Sequence, residues 1–532
     1  MDNYVVLIDE YSSKLVSTQA PSHDSAAKTP ETIVANYLSS LQNVLPIINV
    51  KCPPTPLVRA RGDGITNDTY VINTIIAYCS EHGGGVVYVP KGTYLISKLY
   101  LKENVVLRGD GINTTFKLIN NAGQYINPIE INNVSNARIE DLLIDGNRIN
   151  NTSNYVSGIY VLSADNITIS NTVVQNVNGD GIYLGYTGYL AQNIKLNNVT
   201  ICNSARNELV IANAKNVLAK DCTIVSNDAF ASTIDFEKHD TSDMISDITF
   251  EDFAVTAGPQ PIKLITNNKP GNTANVVLRN LKIEGINAGI KISDFDNVTL
   301  ERVTGQYIEI VGSQNINITN GTRLSGFTGT GIYAYEDSSS RYVTNLMIDN
   351  VNIYDCGKHG ILLQNVKSAY IINSNIHDNT QAGLGIYYAC NNVNIINSIL
   401  TDTKDGGSKA QPYAVKFVSK THSNINIIGC YTDGNAKSEY DGLVSNLTFR
   451  FGNSNNCSAL TFITPGGTAS HTLTYGNGYT LIGSANQYTA AYDTIPNGSI
   501  YESTDGKLKY KNLAGTAYIL SNKKGVDKNY YD

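Results

Sequence analysis

Asn193-Ile194-Lys195-Leu196 and Asn424-Ile425-Asn426-Ile427 carry the pattern that decides the fold: an asparagine opening a short apolar strand. The pattern returns at Asn136, Asn166, Asn193, Asn216, Asn275, Asn297, Asn315, Asn345, Asn392 and Asn424. With the imperfect turns near Asp247 and Ser368 included, the step averages roughly 26 residues, the length over which a short-stranded solenoid closes one turn. Within each block Ile, Val, Leu and Tyr alternate with Asn, Asp, Gly and Thr, so alternate side chains enter a core while the others face water. Asparagine tolerates the left-handed backbone of a tight turn, and its amide can bond to the amide of the next turn. The series therefore reads as structural, and the chain as a long column whose outer face can hold a long polymer.

The 532 residues would allow several domains, yet a repeat that continues for about 300 residues behaves as one, because each turn buries its apolar face against its neighbours. With 42% hydrophobic residues, 16% charged residues and a net charge of -7, the composition is that of an acidic globular protein. A nucleic-acid partner is not expected, since no broad basic surface is available to neutralise phosphates. No apolar run reaches membrane-spanning length, and Met1-Asp2-Asn3-Tyr4 lacks a secretion signal, so membrane insertion is not expected either. Eight cysteines and seven histidines are scattered without metal-ligand spacing. Free interior thiols and no metal are the expectation.

The chain divides into three parts. Residues 1–57 mix Val5-Val6-Leu7-Ile8, a polar stretch and an amphipathic run from Glu31 to Leu45, closed by Pro53-Pro54-Thr55-Pro56; they read as a small attachment or oligomerisation head. Residues 58–450 form the solenoid, with Asp68 to His82 as a helix capping its first turn. Residues 451–532 lose the period and read as a β-rich C-terminal module.

Arg61-Gly62-Asp63-Gly64-Ile65-Thr66-Asn67-Asp68-Thr69, Gly83-Gly84-Gly85-Val86-Val87-Tyr88-Val89-Pro90-Lys91-Gly92-Thr93-Tyr94 and Leu101-Lys102-Glu103-Asn104-Val105-Val106-Leu107-Arg108-Gly109 follow one another in order. Together they resemble the opening of the pectate-lyase-like superfamily of right-handed parallel β-helices. The resemblance implies an all-β fold over residues 58–450. It leaves the chemistry open, since that superfamily holds lyases, hydrolases, epimerases and phage tail spikes. Ser204 to Glu237 resembles a segment of phage and bacterial β-helix proteins, from which it departs at Glu208, where Gly is common, and at Lys238, where Pro is common. Gly498-Ser499-Ile500-Tyr501 and Asp505 to Lys511 resemble the C-terminal modules of viral tail fibres and spikes, which implies a homotrimer.

Aligning the Gly-apolar strands at Tyr160, Tyr183, Val210, Asp235, Lys291, Tyr333, Leu362 and Tyr387 puts one outward residue from each turn on a long face. With 34 Tyr and no Trp, the platform for sugar rings is expected at Tyr160, Tyr183, Tyr333 and Tyr387. Asp235 and Glu237, two apart on one strand, share that face at about 6 to 7 Å between α-carbons, with Glu208 expected diagonally beside Asp235. Carboxyls about 5 to 5.5 Å apart suit retaining hydrolysis of a glycosidic bond and about 6.5 to 9.5 Å the inverting reaction, which this register favours. Asp235 or Glu237 is then the general acid, and Glu208 or the remaining partner activates water. Asp180 and Asp228 lie at the edges of this cluster, Lys263 and Lys291 can bind acidic groups of the polymer, and Arg206 can hold an anion or pair with Asp228 or Asp235. A further acidic patch falls at Glu309, Glu336 and Asp337.

The leading expectation is a phage tail spike that binds and hydrolyses a bacterial surface polysaccharide or cell-wall glycan. It would be made in the host cytoplasm, join the phage tail or baseplate through the head, and work at the host cell surface. A polysaccharide lyase on the same fold, for which the resemblance implies Ca²⁺, and a non-catalytic glycan-binding adhesin are the alternatives.

Overall fold

The structure, a computed structural model, describes residues 46–152, 156–226, 232–267, 269, 271–403, 411–418, 422–433 and 435, with further strand segments to residue 521. Of the head expected at 1–57, residues 1–45 lie outside the described residues. From residue 47 onward the chain forms a parallel β-helix, in which every turn of the column lays a strand on the one before. A sheet of fourteen parallel strands runs in unbroken chain order from Leu99–Tyr100 through Gly179–Leu184, Leu209–Ile211, Ile234–Glu237, Ile262–Ile265, Gly289–Ser293 and Tyr307–Val311 to Ser438–Asp441. The remaining faces join in a larger sheet, whose longest strands, such as Ile245–Ala257 and Thr273–Gly285, bend from one face to the next.

The asparagines do what their spacing predicts. All ten have φ between 52° and 60°, the left-handed conformation that most side chains avoid. Their amides bond from turn to turn, Asn166 Nδ2 donating to Asn136 Oδ1 at 2.8 Å, Asn315 to Asn297 at 2.9 Å and Asn345 to Asn315 at 2.9 Å. Asp165 and Asp247 replace asparagine as acceptors for Asn193 and Asn275. The ladder satisfies side-chain amides and fixes the corner at which each strand starts.

Register then follows from burial. Ile159, Ile182, Leu209 and Ile234 are mutual partners and fully buried, as are Ile262, Ile290, Ile308 and Ile332 further along. A one-residue slip would turn this column of aliphatic side chains into water. The first turn is closed by the helix Thr69–Glu81, whose Ile72, Ile75, Ile76 and Cys79 form one apolar stripe. Seven cysteines among the described residues are free thiols, and Cys79, Cys222, Cys356 and Cys390 are buried.

Beyond 450, Ser470–Thr474 pairs in parallel with Leu447–Arg450 and antiparallel with Thr480–Ser484, and the three strands Ser499–Glu502, Leu508–Lys511 and Ala517–Ser521 pair antiparallel.

Candidate functional site

The outward column of the fourteen-stranded sheet reads Tyr160, Tyr183, Val210, Asp235, Lys263, Lys291, Glu309, Tyr333, Leu362 and Gly385, each the backbone partner of the next. The sequence alignment holds from Tyr160 to Leu362 and then slips. Gly385, not Tyr387, faces Leu362, and Tyr387 stands opposite Gln364 in the neighbouring column. Tyr333 keeps its place, its ring stacked on Tyr335 at 4.4 Å and its hydroxyl bonded to Gln364, six strands from Tyr183.

The chemistry gathers where the segment 235–239 crosses this face. Ile234 and Phe236 point into the core, and Phe236 packs its ring 5.4 Å from Phe250 and 6.2 Å from Phe295. That anchor leaves Asp235, Glu237 and His239 on the opposite side. The Tyr183 hydroxyl lies 2.7 Å from His239 Nε2, and the same nitrogen lies 3.1 Å from Glu237 Oε1. One imidazole nitrogen carries at most one proton: bare, it accepts from Tyr183; protonated, it can donate to Glu237. His239 had no place in the sequence reading. Its signal was the third step of the same alternation, two residues beyond Glu237.

Asp235 is 8% exposed. Burial first, and then the negative charge of Glu237, push its carboxyl up to about 8 against the opposing pull of Lys263. Its carboxyl therefore holds its proton more tightly than an ordinary aspartate does, with Glu237 two residues on along the same face.

Asp180, on the strand two before Asp235, accepts from Asn207 N at 3.0 Å and Asn207 Nδ2 at 3.1 Å, and its other oxygen lies 3.4 Å from Arg206 Nη1. Burial raises its pKa and Arg206 opposes the rise. Arg206 thus pairs with Asp180, not with Asp235 as the sequence allowed; Asp228 lies outside the described residues. Tyr183 has its phenol pushed far up by burial and by the charges of Glu237 and Asp180. The Tyr160 ring meets it edge-on at 5.4 Å.

Glu208 does not share the face of Asp235. Val210 is the residue beside Asp235, and Glu208 is fully buried with both carboxylate oxygens 3.2 Å from Ser204 N. The preceding turn has glycine here: a Cβ on Gly181 would meet Ile201 Cγ2 at 2.3 Å and Ser204 Oγ at 3.1 Å, so this corner of the coil looks inward. Burial pushes the Glu208 carboxyl up to about 7, against the hydrogen bonds from Ser204 and the charge of Arg148.

Lys263 and Lys291 continue the column, and Lys291 Nζ lies 3.3 Å from Glu309 Oε2. Glu309 also accepts from the Tyr335 hydroxyl at 2.5 Å. Its expected partners are committed elsewhere: Glu336 accepts from Asn365 Nδ2 at 2.6 Å, and Asp337 caps the turn to Arg341. Among the described residues no group of three or more His, Cys, Asp or Glu is placed to hold a metal.

The β-helix matches the family patterns of pectate-lyase-like and right-handed β-helix proteins over two overlapping stretches, each a little under half of the chain. The family pattern for rhamnogalacturonase A/epimerase, pectate lyase-like, matches residues 58–304, and that for the right-handed β-helix region matches 269–495. Mannuronan C5-epimerase AlgE1 of Azotobacter vinelandii is 36% identical over 142 residues, which is 23% of this chain and 10% of that protein. Alginate lyase 7 of the same organism is 36% identical over 115 residues, 19% of this chain and 13% of that protein. The match therefore spans a small part of either relative. Among solved structures, pre-mature bacteriophage phi29 gene product 12 is similar with a TM-score of 0.50 at 14% identity, over 92% of this chain and 84% of that one.

Proposed function

We propose that the protein acts on an acidic polysaccharide by removing the proton on the sugar carbon next to a carboxylate, and that it is a polysaccharide lyase. The observation that carries this reading is the contact of Tyr183 and Glu237 with a single nitrogen of His239, beside the protonated Asp235. Arg206 and Lys263 flank the cluster with positive charge suited to a uronate. Asp235 donates its hydrogen bond to the uronate carboxylate, which makes the neighbouring C5–H more acidic. Unprotonated His239 Nε2 takes that proton. The electron pair of the C5–H bond forms the C4–C5 double bond as the C4–O bond breaks, and Tyr183 gives its proton to the departing oxygen. The phenolate then recovers a proton from His239 through their shared hydrogen bond. Base and acid that touch each other act on one face of the ring, which suits elimination better than inversion.

The likeness to an epimerase and an alginate lyase supports uronate chemistry, since both act on alginate-type polymers by name. Hydrolysis, the first expectation from sequence, is the alternative reading of the same carboxyls. We further propose that the polymer is a bacterial surface polysaccharide or cell-wall glycan and that the protein is a homotrimer carried on a phage tail through residues 1–57. The support for that setting is the resemblance of residues 498–511 to tail-fibre modules.

The test is incubation of polymannuronate and host capsule with the full chain in D2O. Elimination gives shortened chains with the ultraviolet absorbance of a conjugated double bond, lost in His239→Gln. New reducing ends without that absorbance mean hydrolysis. Unshortened chains with deuterium at C5 mean epimerisation, and binding without either change means an adhesin.

A further inference from the structure

The segment 185–190 leaves the strand Gly179–Leu184 and turns back over the site as a tight hairpin, with Tyr186 N donating to Tyr189 O at 3.0 Å and Tyr189 N to Tyr186 O at 2.7 Å. Gly185 and Gly188 supply φ of 74° and 79°. At Gly185 no other residue fits, because a Cβ would stand 1.8 Å from the Asn213 carbonyl oxygen. Two side chains then fasten the hairpin. Asn213 Nδ2 donates to Tyr186 O at 3.0 Å, and Thr187 Oγ1 donates to Asp243 Oδ2 at 3.1 Å.

Asp243 is fully buried, and the same oxygen accepts from His239 N at 2.9 Å and Asp240 N at 2.7 Å. One carboxylate thus joins the hairpin to the turn that presents His239. The hairpin is held rigidly, yet its two rings remain in water: Tyr186 is 43% exposed and Tyr189 45%. The Tyr186 ring lies 5.2 Å from that of His239, inclined at 42°, and both tyrosines act electrostatically on the Tyr160 phenol. A fold that orders a hairpin through four hydrogen bonds and a buried acid, only to leave two aromatic faces uncovered beside its reactive histidine, has built a surface for something flat and partly apolar.

We propose that Tyr186 and Tyr189 form a stacking wall for the pyranose ring that lies next to His239, with Asp243 as the positioning residue that keeps wall and histidine in one frame. The apolar C–H face of a pyranose covers a phenol ring, while the phenol's hydroxyl stays available to the ring's hydroxyls. The wall stands on the Tyr183 side of Asp235 and the lysines stand on the other, so the polymer lies along the column from tyrosines to Lys263 and Lys291. Identifying the ring as that of the reacting sugar rests on the function proposed above.

The test is calorimetric titration of the full chain with two probes, a mannuronate hexamer and a neutral glucan hexamer, for wild type, Tyr186→Ala, Tyr189→Ala, Tyr186→Phe and Asp243→Asn, with circular dichroism to establish folding. Loss of about tenfold or more in affinity in either alanine variant, with Tyr186→Phe within about twofold of wild type, is the expected result. Asp243→Asn is expected to lower turnover on polymannuronate more than it weakens binding. Alanine variants that bind each accepted probe as wild type does overturn the wall and leave the uronate reading standing. Binding of the neutral probe alone, weakened by the alanine variants, upholds the wall and removes the uronate reading. A wild-type chain that binds neither probe overturns both.

Discussion

Tyr183 and His239, 56 residues apart in the chain, meet at 2.7 Å on the outer face of the β-helix. The contact brings together two side chains that no local pattern joins.

Tyr183→Phe removes the hydroxyl while keeping the buried ring and its packing against Tyr160. Turnover on the accepted polysaccharide is expected to fall about 10²- to 10⁴-fold, the usual contribution of a positioned acid or base. The thermal midpoint should stay close to wild type. Steady-state kinetics beside a melting curve check it; a variant with full turnover removes Tyr183 from the mechanism.

Glu208 contributes a pH dependence of stability. Its folded pKa is raised from the model-peptide range to about 7, so the folded state holds its proton more tightly than the unfolded chain does. That stabilisation is complete below about pH 4.5 and is lost as pH rises through about 7, amounting to at most about 3 kcal/mol. Glu208→Gln cannot ionise, and its oxygen can still accept from Ser204 N. Melting midpoints between pH 4.5 and 8 should therefore decline less steeply in the variant than in wild type.

Phe236 ties the reactive segment to the core through Phe250 and Phe295. Truncation to alanine leaves a cavity beneath Asp235 and Glu237 and should cost about 3 to 5 kcal/mol. Denaturant unfolding measures this, and a loss below about 1 kcal/mol would show that the coil closes over the gap.

Lys263→Met keeps the stem and removes the charge beside Asp235. KM for an acidic polymer is expected to rise about tenfold, and less at high salt, where screening already weakens the pair. The Asp235 carboxyl, losing the cation that opposes its upward shift, should titrate higher, and the alkaline limb of the pH profile should move up with it.

The neighbouring column shows how a legible pattern can still be misread. Gly383-Leu384-Gly385-Ile386-Tyr387 offers two glycine starts two residues apart, and a shift of two preserves the inside-outside alternation. The local sequence therefore cannot choose between Gly385 and Tyr387 as the partner of Leu362. Backbone pairing chooses Gly385. His239 is the opposite case, since the alternation that located Asp235 and Glu237 reaches it at the next step and needed only to be followed across Lys238.

By itself the sequence determined the column: asparagines at left-handed corners, aliphatic residues pointing inward, and Asp235 and Glu237 facing out on one strand. These follow from backbone geometry and period-two burial, which act over a few residues and so are written locally. Only the tertiary structure decided that Glu208 turns into the corner, that Arg206 pairs with Asp180, and that Tyr183 reaches His239. Those contacts depend on how separate turns stack and how coil corners fill, and burial there sets which carboxyl keeps its proton.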